Sequence, residues 1–188
     1  MNKPKSLLPL IIMVIGLIII SIVAVTNNYW SESDEYLFSN KECKPYFDFD
    51  EVIHYQSNIN DYEVIGRKNN DLIYLLFGSG FESLQDSIYL EKGDSLFQKK
   101  VVSKEDHSII DKIFCKQVIN EDELYFSECI AIYRDIFVFR KKNKITGIAK
   151  ICFDCNQFTS IGAKQGTKNF GVNYEFSNLA KLIKKKEY

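Results

Sequence analysis

Cys152-Phe153-Asp154-Cys155 is a spacing that carries thiol chemistry. Two cysteines separated by two residues make either a redox dithiol or half of a metal site. A redox pair normally opens a helix, whose N-terminus lowers the thiol pKa. This pair closes an apolar, β-rich run, so that dipole is missing. A zinc site wants two more ligands, and Cys43, Cys115, Cys129, His54 and His107 are scattered along the chain. If the strand ran on through Cys155, the two sulfurs would face opposite sides of a sheet and could not share a metal. Cys129 falls near the same end of a hairpin as Cys155. The first reading of Cys129, Cys152 and Cys155 is therefore a structural disulfide or buried cysteine, as suits an oxidising compartment. The alternative is a thiol-redox or metal-binding protein using Cys152 and Cys155. The chain has 5 cysteines, an odd number, so at least one stays free or pairs with another chain.

Gly93-Asp94-Ser95-Leu96 resembles the opening block of the GDSL (SGNH) hydrolases. That resemblance implies a nucleophilic Ser95 and an Asp-x-x-His near the C-terminus to supply the base. The only histidines are His54 and His107, and none follows the hairpin. A serine without a base is a poor nucleophile, and a Gly-Asp turn accounts for the four residues. Asp135 lies among Tyr133, Phe137 and Phe139 and reads as a buried acid or, more simply, as the partner of Lys150 or Arg134. No second carboxylate is placed beside it by spacing. No catalytic residue, metal ligand or cofactor site is assigned, and the chain reads as a non-enzyme.

Charge offers a different chemistry. Thr26 to Ile132 holds 10 basic and 21 acidic residues, whereas Tyr133 to Tyr188 holds 12 basic and 4 acidic. Such runs are commonly solvated faces of one mixed surface. They also suit an anionic partner, and Arg140, Lys141, Lys142 and Lys144 are the candidate contacts.

These residues need elements to position them. Cys129 to Arg140 and Ile145 to Cys155 are β-rich runs flanking Lys142-Asn143, which predicts a hairpin. A two-residue loop there sets Asp135 opposite Lys150, an opposite-charge cross-strand pair. It also puts Ile132, Ile136, Val138, Ala149, Ile151 and Phe153 on one core face. A helix opens at Ser103, with Ile109, Ile110, Ile113 and Phe114 on its apolar side. Another starts near Glu175, with Phe176, Leu179, Leu182 and Ile183 on one side and Lys184, Lys185 and Lys186 in its last turn. Asn69-Asn70-Asp71 caps a short helix through Phe77, stopped by Gly78-Ser79-Gly80. Tyr46 to Tyr55 is a strand or a short helix, and Tyr62 to Gly66 a strand. Ser87 to Leu90 and Leu96-Phe97 flank a turn at Glu91-Lys92-Gly93-Asp94, a second hairpin. Asn156 to Asn173 reads as a Gly-containing loop.

Leu7 to Val25 contains no charged residue. At roughly 1.5 Å per residue it is long enough to cross roughly 30 Å of hydrocarbon as a helix. Lys3 and Lys5 precede it and no Lys or Arg follows until Lys41, which places the N-terminus in the cytoplasm. A cleaved signal would have a shorter apolar core and a small-x-small site; Ile22-Val23-Ala24 is a weak match. The organisation is a cytoplasmic segment 1–6, a signal anchor 7–25, a juxtamembrane linker 26–45 and one exported domain 46–188. The localisation is the cell membrane, single-pass, with the C-terminal domain outside the cytoplasm. That compartment disfavours nucleic acid.

The run Tyr133-Arg134-Asp135-Ile136-Phe137-Val138-Phe139, then Gly147 to Cys155, Asn169-Phe170-Gly171 and a terminal helix, resembles a group of small uncharacterised bacterial proteins. The likeness covers about the last third of the chain. It implies a shared fold and no chemistry. The fold class expected is α+β: a transmembrane helix, then a small antiparallel sheet packed with two or three helices. The function expected is a membrane-anchored envelope module that binds a protein or an anionic surface.

Overall fold

The computed structural model describes residues 43–59, 75–77, 81–92, 96–116, 129–172 and 174–184, all within the unit Glu42–Tyr188. The apolar stretch Leu7–Val25, the strand expected at Tyr62–Gly66, and Gly93-Asp94-Ser95 lie outside them. No helix among the described residues is long and apolar enough to cross a membrane.

The architecture is α+β. In chain order the elements are β1 (Lys44–Pro45), β2 (Glu51–Ser57), α1 (Ile88–Lys92), β3 (Phe97–Val101), α2 (His107–Ile113), β4 (Cys115–Lys116), β5 (Asp135–Lys141), β6 (Lys144–Cys152), β7 (Gln157–Ile161) and α3 (Glu175–Lys184). Five strands form one sheet in the order β3-β2-β5-β6-β7, and every neighbour is antiparallel. β1 and β4 pair separately.

The β5–β6 hairpin turns at Lys142 and Asn143, whose φ values of 49° and 63° make the two-residue turn that matches strand twist. Arg140 then opposes Ile145, but Phe139 opposes Gly147. Thr146 is the extra residue of a β-bulge. Its hydroxyl donates to the Asp48 carbonyl at 2.7 Å. Gly147 is needed there because a Cβ would lie 2.2 Å from Cδ1 of Phe47, a ring stacked on Phe139 at 4.1 Å.

The bulge corrects the expected register. From Phe139 onward Asp135 faces Ile151 and Ile136 faces Lys150, so the Asp135–Lys150 pair does not form. A one-residue slip sends every later side chain of β6 to the other face. Ile136 and Val138 share a face with Ile148 and Lys150, while Ala149 and Ile151 join Phe137 and Phe139 on the opposite side. β5 is buried on both sides, so there is no single core face.

One layer packs Ile53, Tyr55, Phe97, Ile136, Val138 and Ile148 beneath Leu75, Leu76, Phe81 and Leu90. The other is aromatic. Phe114 lies 5.2 Å from Phe139 and 5.4 Å from Phe170, which stacks on Phe158 at 4.0 Å and meets Phe176 edge-on at 5.1 Å. α2 supplies Ile110 and Ile113 to this layer, and α3 supplies Phe176 and Leu179.

Three local readings change. Ser87–Leu90 is not a hairpin strand. Asp86 Oδ2 accepts from the Glu82 and Ser83 N–H groups at 2.8 Å each, which starts a 3₁₀ turn at Leu84–Ser87 that runs into α1. The helix opened by Ser103 begins as a 3₁₀ turn, Lys104–Asp106. There the Ser103 hydroxyl donates to Asp106 Oδ2 at 2.6 Å. The presumed loop after Asn156 starts with strand β7, because Asn156 adopts φ 49° and reverses the chain. Of the helix expected before Gly78, Leu75 and Leu76 are helical and Phe77 bridges Ile132.

Candidate functional site

The bulge determines which side chains meet. On the Ile148 face Lys150 is only 2 % exposed. Its Nζ lies 4.8 Å from the Tyr133 ring centre and 5.3 Å from that of Phe81, and donates to the Phe77 carbonyl at 3.4 Å. Burial brings the Lys150 ammonium down from 10.5 to about 7. The cavity beside it holds about 10 Å³, about the smallest volume that admits one water.

Cys152 is two residues along the same strand and therefore on the same face as Lys150. It is buried and not bridged. It packs in one cluster with Ala131, Tyr133 and Cys155. Cys155 stands in the turn after β6 and is bridged to the exposed Cys129, their Cα atoms 5.7 Å apart. A second disulfide joins Cys43 to Cys115 beside the β1–β4 pair. Burial raises the Tyr133 phenol, and Cys152 adds to that.

On the opposite face Asp135 meets His54, not Lys150 or Arg134. The His54 Nε2–Asp135 Oδ1 distance is 2.8 Å and both side chains are buried. The imidazole stacks on Phe137 at 4.6 Å. Arg134 goes elsewhere: Nη1 to Asp154 at 3.1 Å and Nε to the Ile59 carbonyl at 3.1 Å. The cavity at His54, closed by Leu182 and Ile183 of α3, holds about 30 Å³. That is the scale of a single water, and no hydroxyl or thiol hydrogen-bonds this ring among the described residues. The pair is a buried contact that ties β2 to β5.

A concavity lies near the turn end of the β5–β6 hairpin, beside Asp48, which pairs with Lys141. A groove of about 450 Å³ is lined by Lys44, Phe47, Asp48, Phe49, Asp111 and Lys164, within the size range of ligand sites. Lys141 reaches Asp48 at 2.5 Å and Lys164 reaches it at 3.5 Å. The hydrogen bond from Lys141, with the charge of Lys164, holds the Asp48 carboxyl below its ordinary range. Burial raises Asp111, with Asp48 adding to the effect.

The four basic candidates divide here. Arg140 faces Glu51 at 3.7 Å and Lys141 faces Asp48. The Lys142 and Lys144 side chains are exposed, and neither forms an ion pair among the described residues. The Lys142 N–H donates to Asp50 Oδ2 at 2.9 Å, which anchors the turn while leaving its ammonium outward. Asp48, Asp50 and Glu51 come from a segment about ninety residues away. Nothing local to the hairpin announced them.

No group of three or more His, Cys, Asp or Glu side chains that could hold a metal occurs among the described residues. Comparison with protein-family models, curated proteins and solved structures finds no match to this chain.

Proposed function

We propose that this chain is a membrane-tethered interaction module of the extracytoplasmic side, whose hairpin tip and adjoining groove bind an anionic partner without transforming it. The observation that carries the reading is the placement of Lys142 and Lys144. Lys142 stands in the two-residue turn and Lys144 opens β6 next to it, beside a groove rimmed by Lys44 and Lys164. A fixed turn presents charge with little side-chain ordering left to the backbone, and a basic tip raises the rate and selectivity of anion encounter. The two disulfides, Cys43–Cys115 and Cys129–Cys155, support an oxidising compartment. The uncharged Leu7–Val25 stretch supports the tether.

The test uses the full-length chain in neutral detergent on immobilised heparin, a generic polyanion. Wild type is retained at low salt and elutes with rising salt. Lys142→Glu/Lys144→Glu reverses two exposed charges that form no ion pair among the described residues, so it stays folded and runs in the flow-through. An unchanged elution salt refutes the reading.

A further inference from the structure

A buried thiol beside a disulfide is chemically different from a buried thiol alone. Cys152 shares one packed cluster with Cys155, and Cys155 is already bridged to Cys129. Cys152 ends β6 and Cys155 stands three residues on, in the four-residue turn Phe153–Asn156 that joins β6 to β7. Cys129 is exposed, and the next residue, Ile130, is 80 % exposed. The reactive end of the bridge therefore lies at the surface beside an uncovered apolar side chain, and the attacking end lies inside.

We propose that Cys129, Cys152 and Cys155 form a thiol–disulfide exchange site that acts on disulfides of polypeptides. The Cys152 thiol gives its proton to Lys150 in its unprotonated form; that side chain is on the same face of β6 and, like Cys152, packs against Tyr133. The Cys152 thiolate attacks Cys155 Sγ. A Cys152–Cys155 bond forms, the Cys155–Cys129 bond breaks, and Cys129 leaves as a thiolate with the electron pair. No oxidant is consumed, because one disulfide replaces another. The exposed Cys129 thiolate then attacks a partner polypeptide's disulfide. It forms a mixed disulfide and releases one partner thiolate, which takes its proton from water. Ile130 supplies apolar contact for the partner chain. Lys150 is a positioning and proton-accepting residue that acts through Cys152. This site is on a different part of the surface from the hairpin tip, and its chemistry does not depend on anion binding.

The exchange predicts a thiol where the fold shows a bridge. Full-length protein in detergent, without reductant, is incubated with a membrane-impermeant maleimide, and each cysteine is mapped by mass. A denatured aliquot confirms one labelled thiol per chain. The result expected is label on Cys129, accumulating with time, and its loss in both Cys152→Ser and Cys152→Ala. The Cys43–Cys115 bridge, mapped in the same digest, shows that each variant is folded. Lys150→Met slows the labelling of Cys129 at least tenfold. Label confined to Cys152, or no label before denaturation, overturns the exchange site. Equal Cys129 labelling in the Cys152 variants overturns it too, because the bridge would then be opening without the internal thiol. An unchanged rate in Lys150→Met overturns the role given to that lysine.

Discussion

Replacing Lys150 by Met should stabilise the domain at neutral pH, and the size of the gain follows from the burial of one ammonium. The side chain is 2 % exposed, and burial lowers its pKa from 10.5 to about 7. At 1.36 kcal/mol per pH unit, that difference corresponds to about 5 kcal/mol of cost for holding the proton in the fold. The rings of Tyr133 and Phe81, 4.8 and 5.3 Å from Nζ, return part of it, at roughly 0.5–2 kcal/mol each. A net cost of about 1–4 kcal/mol remains. The folded state binds this proton more weakly than the unfolded chain does. Stability therefore rises with pH from about 7 toward 10.5, by up to about 1.4 kcal/mol per pH unit, and is level below 7. Methionine fills a similar unbranched volume with no charge. Lys150→Met should gain about 1–4 kcal/mol at pH 7 and lose the slope between pH 7 and 9.5. That window keeps clear of Tyr46, which burial beside Glu175 pushes up to about 12. The assay is urea unfolding at several pH values with disulfides intact, in a Cys152→Ala background that removes thiol exchange. A variant less stable than its parent at pH 7, or one that keeps the slope, refutes the argument and assigns Lys150 a net favourable contact.

Two further substitutions probe the frame around it. Gly147→Ala drives a Cβ to 2.2 Å from Phe47. It should displace that ring from Phe139 and cost about 1–3 kcal/mol, read as a lower urea midpoint; an unchanged midpoint would mean the bulge is not tied to Phe47. His54→Leu leaves the buried Asp135 carboxyl without its 2.8 Å partner and should cost about 1–3 kcal/mol. His54→Leu/Asp135→Leu should recover much of that loss, and a double variant as unstable as the sum of the singles would show that the two side chains act independently.

Much of the fold could be read along the chain. The hairpin, its turn at Lys142-Asn143 and the terminal helix at Glu175 are each specified within a dozen residues, by β-branched runs, a turn pair that tolerates positive φ, and apolar spacing at helical period. The α+β class follows from them. The candidate surface was half legible: the four basic residues stand in the sequence, but which two are neutralised does not. Glu51 and Asp48 arrive by strand pairing and packing, from about ninety positions away.

Chain order alone determined the β5–β6 hairpin with its turn, the helix after Ser103 and the helix at Glu175. The tertiary structure decided which way the side chains of β6 point. Thr146 bulges because its hydroxyl finds the Asp48 carbonyl 98 residues away and because Phe47 lies over Gly147. Hairpin geometry read from the turn outward contains neither contact. That single extra residue turns Lys150 away from Asp135 and onto the Ile148 face beside Tyr133, frees Asp135 for His54, and puts Cys152 on the same face as Lys150. A period of two makes every side chain beyond the bulge depend on one register, and that register is set by contacts distant in sequence.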